Sequence, residues 1–114
     1  MILQNSEYQL NQVNIQISLY DKIKEAQQED TQIKKMMKKV QEGELKEFHI
    51  EGDVLKLGHR LCVPEVATIK EEIMKEAHST HYTAHPGSTK MYQDLRYNFW
   101  WDGMKVDISN FVHK

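Results

Sequence analysis

The spacing of hydrophobic positions changes character several times along this 114-residue chain, and each change marks an element. Residues 1–14 scatter apolar side chains among Asn and Gln with no period, which predicts a loose lead-in over 1–18. At its end Ile15, Ile17 and Leu19 alternate with Gln16 and Ser18, the pattern of a short edge strand. From Leu19 the spacing lengthens. Leu19, Ile23 and Ala26 sit four and three apart, and Ile33, Met36, Met37 and Val40 share one helical face, so two helices are expected with a break near Glu29-Asp30. Asp30-Thr31 supplies an N-cap for the second, and Gly43 is placed to end it in the left-handed conformation.

Between Leu45 and Val63 the helical period disappears. Phe48/Ile50, Leu55/Leu57 and Leu61/Val63 alternate with polar residues around turns at Glu51-Gly52-Asp53 and Gly58-His59, which predicts a small antiparallel meander. Pro64-Glu65 then opens a helix with Val66, Ile69, Ile73 and Ala77 on its apolar side. Pro86 cannot continue a helix, so residues 79–86 form a loop before a new helix near Gly87 or Ser88, whose inner face carries Met91, Tyr92 and Leu95. Asp102 is the expected N-cap of the last helix, with Met104, Ile108, Phe111 and Val112 as its buried stripe. The fold class is mainly α with a small antiparallel β meander. It divides into a helical extension plus meander over 19–64 and a three-helix module over 65–114.

Composition adds exclusions. A chain with 39% hydrophobic and 28% charged residues is an ordinary, somewhat polar soluble protein. Fifteen basic against seventeen acidic side chains leave a net charge of -2, which withholds the long-range positive field of an autonomous DNA binder. Any nucleic-acid role must rest on a local patch or on missing chain. Lys34, Lys35, Lys38 and Lys39 form a basic cluster, but acidic neighbours make it read as a solvated helix face. Cys62 alone excludes an internal disulfide, has no triad-like partner and reads as a passive thiol; His49 and His59 read as surface residues. The start Met1-Ile2-Leu3-Gln4 lacks a secretory pattern and no apolar run approaches the roughly 20 residues that span a bilayer, so no membrane role and an intracellular, nuclear or cytoplasmic location are expected.

Chemistry concentrates between Glu76 and Met104. His78, at a helix end, and His85, past a loop, can converge as two ligands of a zinc ion, which needs about four nitrogen or sulfur donors in tetrahedral array. Spacing alone does not establish zinc. The words EEIMKEAH, HPGSTKMYQDLRYNFWWDGM and DISNFV go further. In their order and spacing they resemble the His-His-Cys-Cys zinc-binding N-terminal domain of integrases from Ty3/Gypsy-type LTR retrotransposons.

The resemblance covers residues 60–114 and implies His78 and His85 as zinc ligands, with His81 between them as a possible substitute. It implies a small core of Met91, Leu95, Trp100, Met104, Ile108 and Phe111. It also implies integrase self-association and contact with element DNA ends, and places the catalytic carboxylates of integration on a separate downstream domain. Two departures stand out. Asp102 replaces the proline that commonly follows the second tryptophan, and no cysteine follows Cys62, so the Cys-x-x-Cys half of the site is missing from this chain. Weak or absent zinc binding, a frayed last helix and a non-enzymatic chain are the resulting expectations. Two other classes stay open: a host-adopted or decayed protein-interaction domain without zinc, and a three-histidine metallohydrolase using His78, His81 and His85.

Overall fold

The computed structural model describes residues 19–79 and 87–113. Helix α1 is described over residues 19–29 and sets Leu19, Ile23 and Gln27 at four-residue intervals on its buried face. Leu19 is therefore helical rather than the end of a strand: its spacing to Ile23 outweighs the alternation that precedes it. Ile15, Ile17 and the expected lead-in lie outside the described residues.

Helix α2 (Thr31–Gln41) starts where expected, because the Asp30 Oδ1 accepts the Ile33 N–H at 2.8 Å. The other carboxylate oxygen accepts the Glu65 N–H at 3.1 Å, so one residue both caps α2 and ties it to the chain entering the next helix. We expect Asp30→Ala to cost about 1–2 kcal/mol in urea denaturation. Asp30→Asn should recover part of this, since its amide oxygen can still cap. The helix closes at Gly43, whose φ of +89° permits the wrapped N–H bonds from Gly43 to Val40 O and from Glu44 to Lys39 O.

Strands β1 (Phe48–Glu51), β2 (Val54–Leu57) and β3 (Arg60–Cys62) pair antiparallel in sequence order, as the alternation predicts. Gly52 and Asp53 both take positive φ at the β1–β2 turn, the conformation that suits the twist of a tight hairpin. Helix α3 (Ala67–Ser79) begins three residues after Pro64, because a turn at Pro64–Val66 intervenes. Helix α4 (Ser88–Arg96) follows, with Met91 and Leu95 buried.

One strand escaped the sequence. β4 (Phe99–Trp100) adds parallel to β3, with Leu61 N–H donating to Asn98 O and Val63 N–H to Trp100 O, each at 2.8 Å. Two residues cannot display a period, so the Trp-Trp pair gave no strand signal. Helix α5 (Met104–Val112) completes the described chain.

The sheet is covered on both faces. On one, α1, α3, α4 and α5 share a core of Leu19, Ile23, Val63, Ile69, Ile73, Met91, Leu95, Trp101, Met104 and Ile108 among others. On the other, Ile33 of α2 meets Leu55 and Cys62, with Met36, Val40, Phe48 and Trp100 packed against them. Successive residues of β3 and β4 point to opposite faces, as strand geometry requires. This corrects the expected role of Trp100. It is half-buried on the α2 side, edge-on to Phe48 with ring centroids 5.3 Å apart, and Trp101 fills the helical core instead.

The Asp102 cap is also corrected. Gly103, at φ +79°, occupies the N-cap position of α5 without a side-chain bond, and Asp102 stays exposed. The acidic residue engaged at this helix start is Asp107, whose Oδ2 accepts the Trp101 indole N–H at 2.9 Å and lies 3.6 Å from Lys70 Nζ. Lys70 is buried, bonded to Glu65 at 2.8 Å, and stands 5.7 Å from the centre of the Trp101 ring. Two carboxylates and an aromatic face thus surround the covered lysine head where water would otherwise stand.

Candidate metal centre

Helix α3 carries His78 in its last turn. The ring stands edge-on to Phe111, with centroids 5.7 Å apart and planes at 81°. Phe111 and Val112 form the last inner turn of α5, partly buried against the helical core. The C-terminal ends of α3 and α5 therefore meet at His78. The expected fraying of α5 is not observed: it is helical through Val112, and His113 closes it through its N–H to Ser109 O at 3.1 Å and its Nδ1 at 3.0 Å from the same oxygen.

His81 and His85 lie outside the described residues. Among the described residues no group of three or more His, Cys, Asp or Glu is placed to hold a metal ion. The thiol does not complete one. Cys62 sits on β3 in the α2-side cluster, fully buried, and desolvation pushes its pKa up to about 12 against an ordinary 9.0. Zinc binds the thiolate, which this setting disfavours. Of the three candidate ligands His78 alone is among the described residues, and the described residues do not by themselves fit the ion.

Cys62 yields a pH expectation. A thiol whose folded pKa is raised contributes stability that is fully present below about 9 and is lost as pH climbs toward about 12. In urea melts across that window the wild type should lose more stability than Cys62→Ala. Alkylation of native protein at neutral pH should be slower than that of unfolded chain by the full protection factor of global unfolding.

Elsewhere the exposed face of α2 presents Lys34, Lys35, Lys38 and Lys39, none in an ion pair among the described residues, as a solvated face would. His49 and His59 are both exposed. No described helix is long and apolar enough to cross a membrane.

Three helices, with His78 where α3 and α5 meet and a small sheet alongside, make up the described part of the C-terminal half. The comparison with family models is specific: the integrase zinc binding domain model matches residues 67–114, from the first residue of α3 onward. This stretch is similar to the non-catalytic N-terminal domain of integrases. No curated protein and no solved structure matches the chain.

Proposed function

We propose that this chain is a non-catalytic part of a retroelement integrase of the Ty3/Gypsy type, acting in DNA integration by associating with other integrase copies and contacting the ends of element DNA. The observation that carries the reading is the family match over residues 67–114, which takes in α3, α4, β4 and α5. The packing of His78 against α5 supports it, because the family closes its zinc site just after the last helix.

Zinc in this 114-residue chain would rest on His78 and His85, with His81 in reserve and no cysteine after Cys62. With two thiolates fewer than the family uses, affinity should be weaker than about 1 μM. A chelator-competition titration tests this: submicromolar binding that disappears in His78→Ala and His85→Ala would overturn it. Sedimentation velocity and anisotropy with labelled DNA test the wider reading. A chain that stays monomeric at high concentration and binds no DNA at low salt is not acting as an integrase part.

A second reading, a host-adopted interaction domain working without zinc, draws on one observation. The helical core is closed by apolar residues from α1, α3, α4 and α5, so the fold has a source of stability independent of a metal.

A further inference from the structure

On the side of the molecule where β3, α4 and α5 meet, three cations collect around one aromatic ring. Arg96, at the end of α4, has its guanidinium 5.9 Å from the centre of the Tyr92 ring. Lys105, in the first turn of α5, has its ammonium 5.5 Å from the same centre. Arg60 on β3 donates its Nε–H to Phe99 O at 3.1 Å, and with Tyr92 and Lys105 lines a recess of about 210 Å³. Among the described residues none of the three is in an ion pair, and Asp102 is the one carboxylate lining the recess. Burial first, and then the charge of Arg96, lower the pKa of Arg60 below the usual arginine value, so the two guanidinium groups sense one another.

Beside this cluster Tyr97 is 68% exposed, its ring edge-on to His59 with centroids 5.2 Å apart. Tyr97 thus presents an aromatic face to water directly after Arg96. The same combination serves nucleic acids well: cations take the phosphates while an exposed ring stacks a base. The chain is -2 overall, so three cations with one carboxylate among them stand out from their surroundings.

We propose that Arg60, Arg96, Lys105 and Tyr97 form a contact surface for a DNA strand with an unpaired base, the cations holding successive phosphates and Tyr97 stacking the base. This deepens the DNA contact of the preceding section and rests on it. Sequence reasoning did not reach the cluster because its members come from three elements, separated by the intervening α3 and the residues before α4.

Anisotropy titration of a fluorescein-labelled single-stranded oligodeoxynucleotide at several salt concentrations tests the surface. Three variants are compared with wild type: Arg96→Glu/Lys105→Glu, Tyr97→Ala, and the control Lys34→Glu/Lys38→Glu, which makes the same charge change on α2. The first should weaken binding by at least about tenfold and flatten the salt dependence by about 1.4 in log–log slope. Tyr97→Ala should weaken it about tenfold with the slope kept, since stacking carries no counterion release. The control should change it less than about threefold.

Equal losses in the control and the Arg96/Lys105 variant would overturn the proposal in favour of general charge attraction. Wild-type affinity in both Arg96→Glu/Lys105→Glu and Tyr97→Ala would overturn this surface while leaving DNA binding in place. Polyglutamate competing as well as the oligonucleotide would assign the patch to acidic peptides instead. Absence of DNA binding by the wild type removes the DNA contact of the integrase reading together with this surface, while self-association still tests the rest of that reading. Arg96, Tyr97 and Lys105 are all exposed, and a thermal melt of each variant checks the fold; should the double variant unfold, Lys105→Gln with Tyr97→Ala decides the matter.

Discussion

Gln27→Leu is expected to destabilise the fold by about 3 kcal/mol in urea denaturation, although leucine fits the space and is the more hydrophobic residue. Gln27 is fully buried on α1. Its Nε2 donates to Leu55 O at 3.2 Å and to Cys62 O at 2.6 Å, and its Oε1 accepts from Leu55 N–H at 2.8 Å. The β2–β3 ladder is paired at Lys56↔Leu61 and Leu57↔Arg60, and Gln27 meets the next residue on each strand. Its amide therefore stands where another strand residue would have continued the ladder. Replacing one partner of a buried hydrogen bond leaves the other to bear its desolvation, which here falls on three backbone groups. Gln27→Ala should cost at least as much, with a cavity added. If Gln27→Leu leaves the urea midpoint unchanged, the amide is dispensable and the strands hold their own register.

The second large effect separates two adjacent tryptophans. Trp101→Ala should cost about 3–5 kcal/mol, the range for emptying a buried aromatic site. It removes a side chain 2% exposed in the helical core, together with the indole donor to Asp107 and the ring that faces Lys70. Trp100→Ala should cost about half as much, because Trp100 is half-buried on the α2 side and loses chiefly its edge contact with Phe48. Equal effects, or a larger effect at Trp100, would reverse the assignment of the two faces. Intrinsic fluorescence offers a second check: the emission shift on unfolding should persist in Trp100→Phe and shrink in Trp101→Phe.

These two sites also mark where the sequence was legible and where it was not. Apolar spacing placed α2 to α5 and the β1–β3 meander, because each has enough turns or alternations to express a period, and Asp30 and Gly43 announced the bounds of α2 by their chemistry. Gln27 gave no such signal. A glutamine at a core position resembles a solvated one until the strands it serves are known. Trp100 and Trp101 are adjacent, so only the pairing of β4 with β3 decides which faces the helices. Asp102 was a reasonable cap by residue type, yet the positive φ of Gly103 turns the chain so that a backbone, rather than a carboxylate, begins α5. Of the candidate zinc ligands, His78 is found at the meeting of α3 and α5, while His81 and His85 fall outside the described residues.

The parallel pairing of β4 with β3 carries a consequence for the order in which the molecule forms. The β1–β2 and β2–β3 hairpins close over a few residues and can do so within microseconds, but β4 reaches β3 only across the whole of α3 and α4. Until then the Leu61 and Val63 N–H groups, which end up on Asn98 and Trp100, face water along an open strand edge. That edge is a template on which a second nascent chain can dock. Yield on refolding should therefore fall with protein concentration more steeply than the short hairpins alone would suggest, and a two-residue strand, small as it is, is what covers that edge in the native fold.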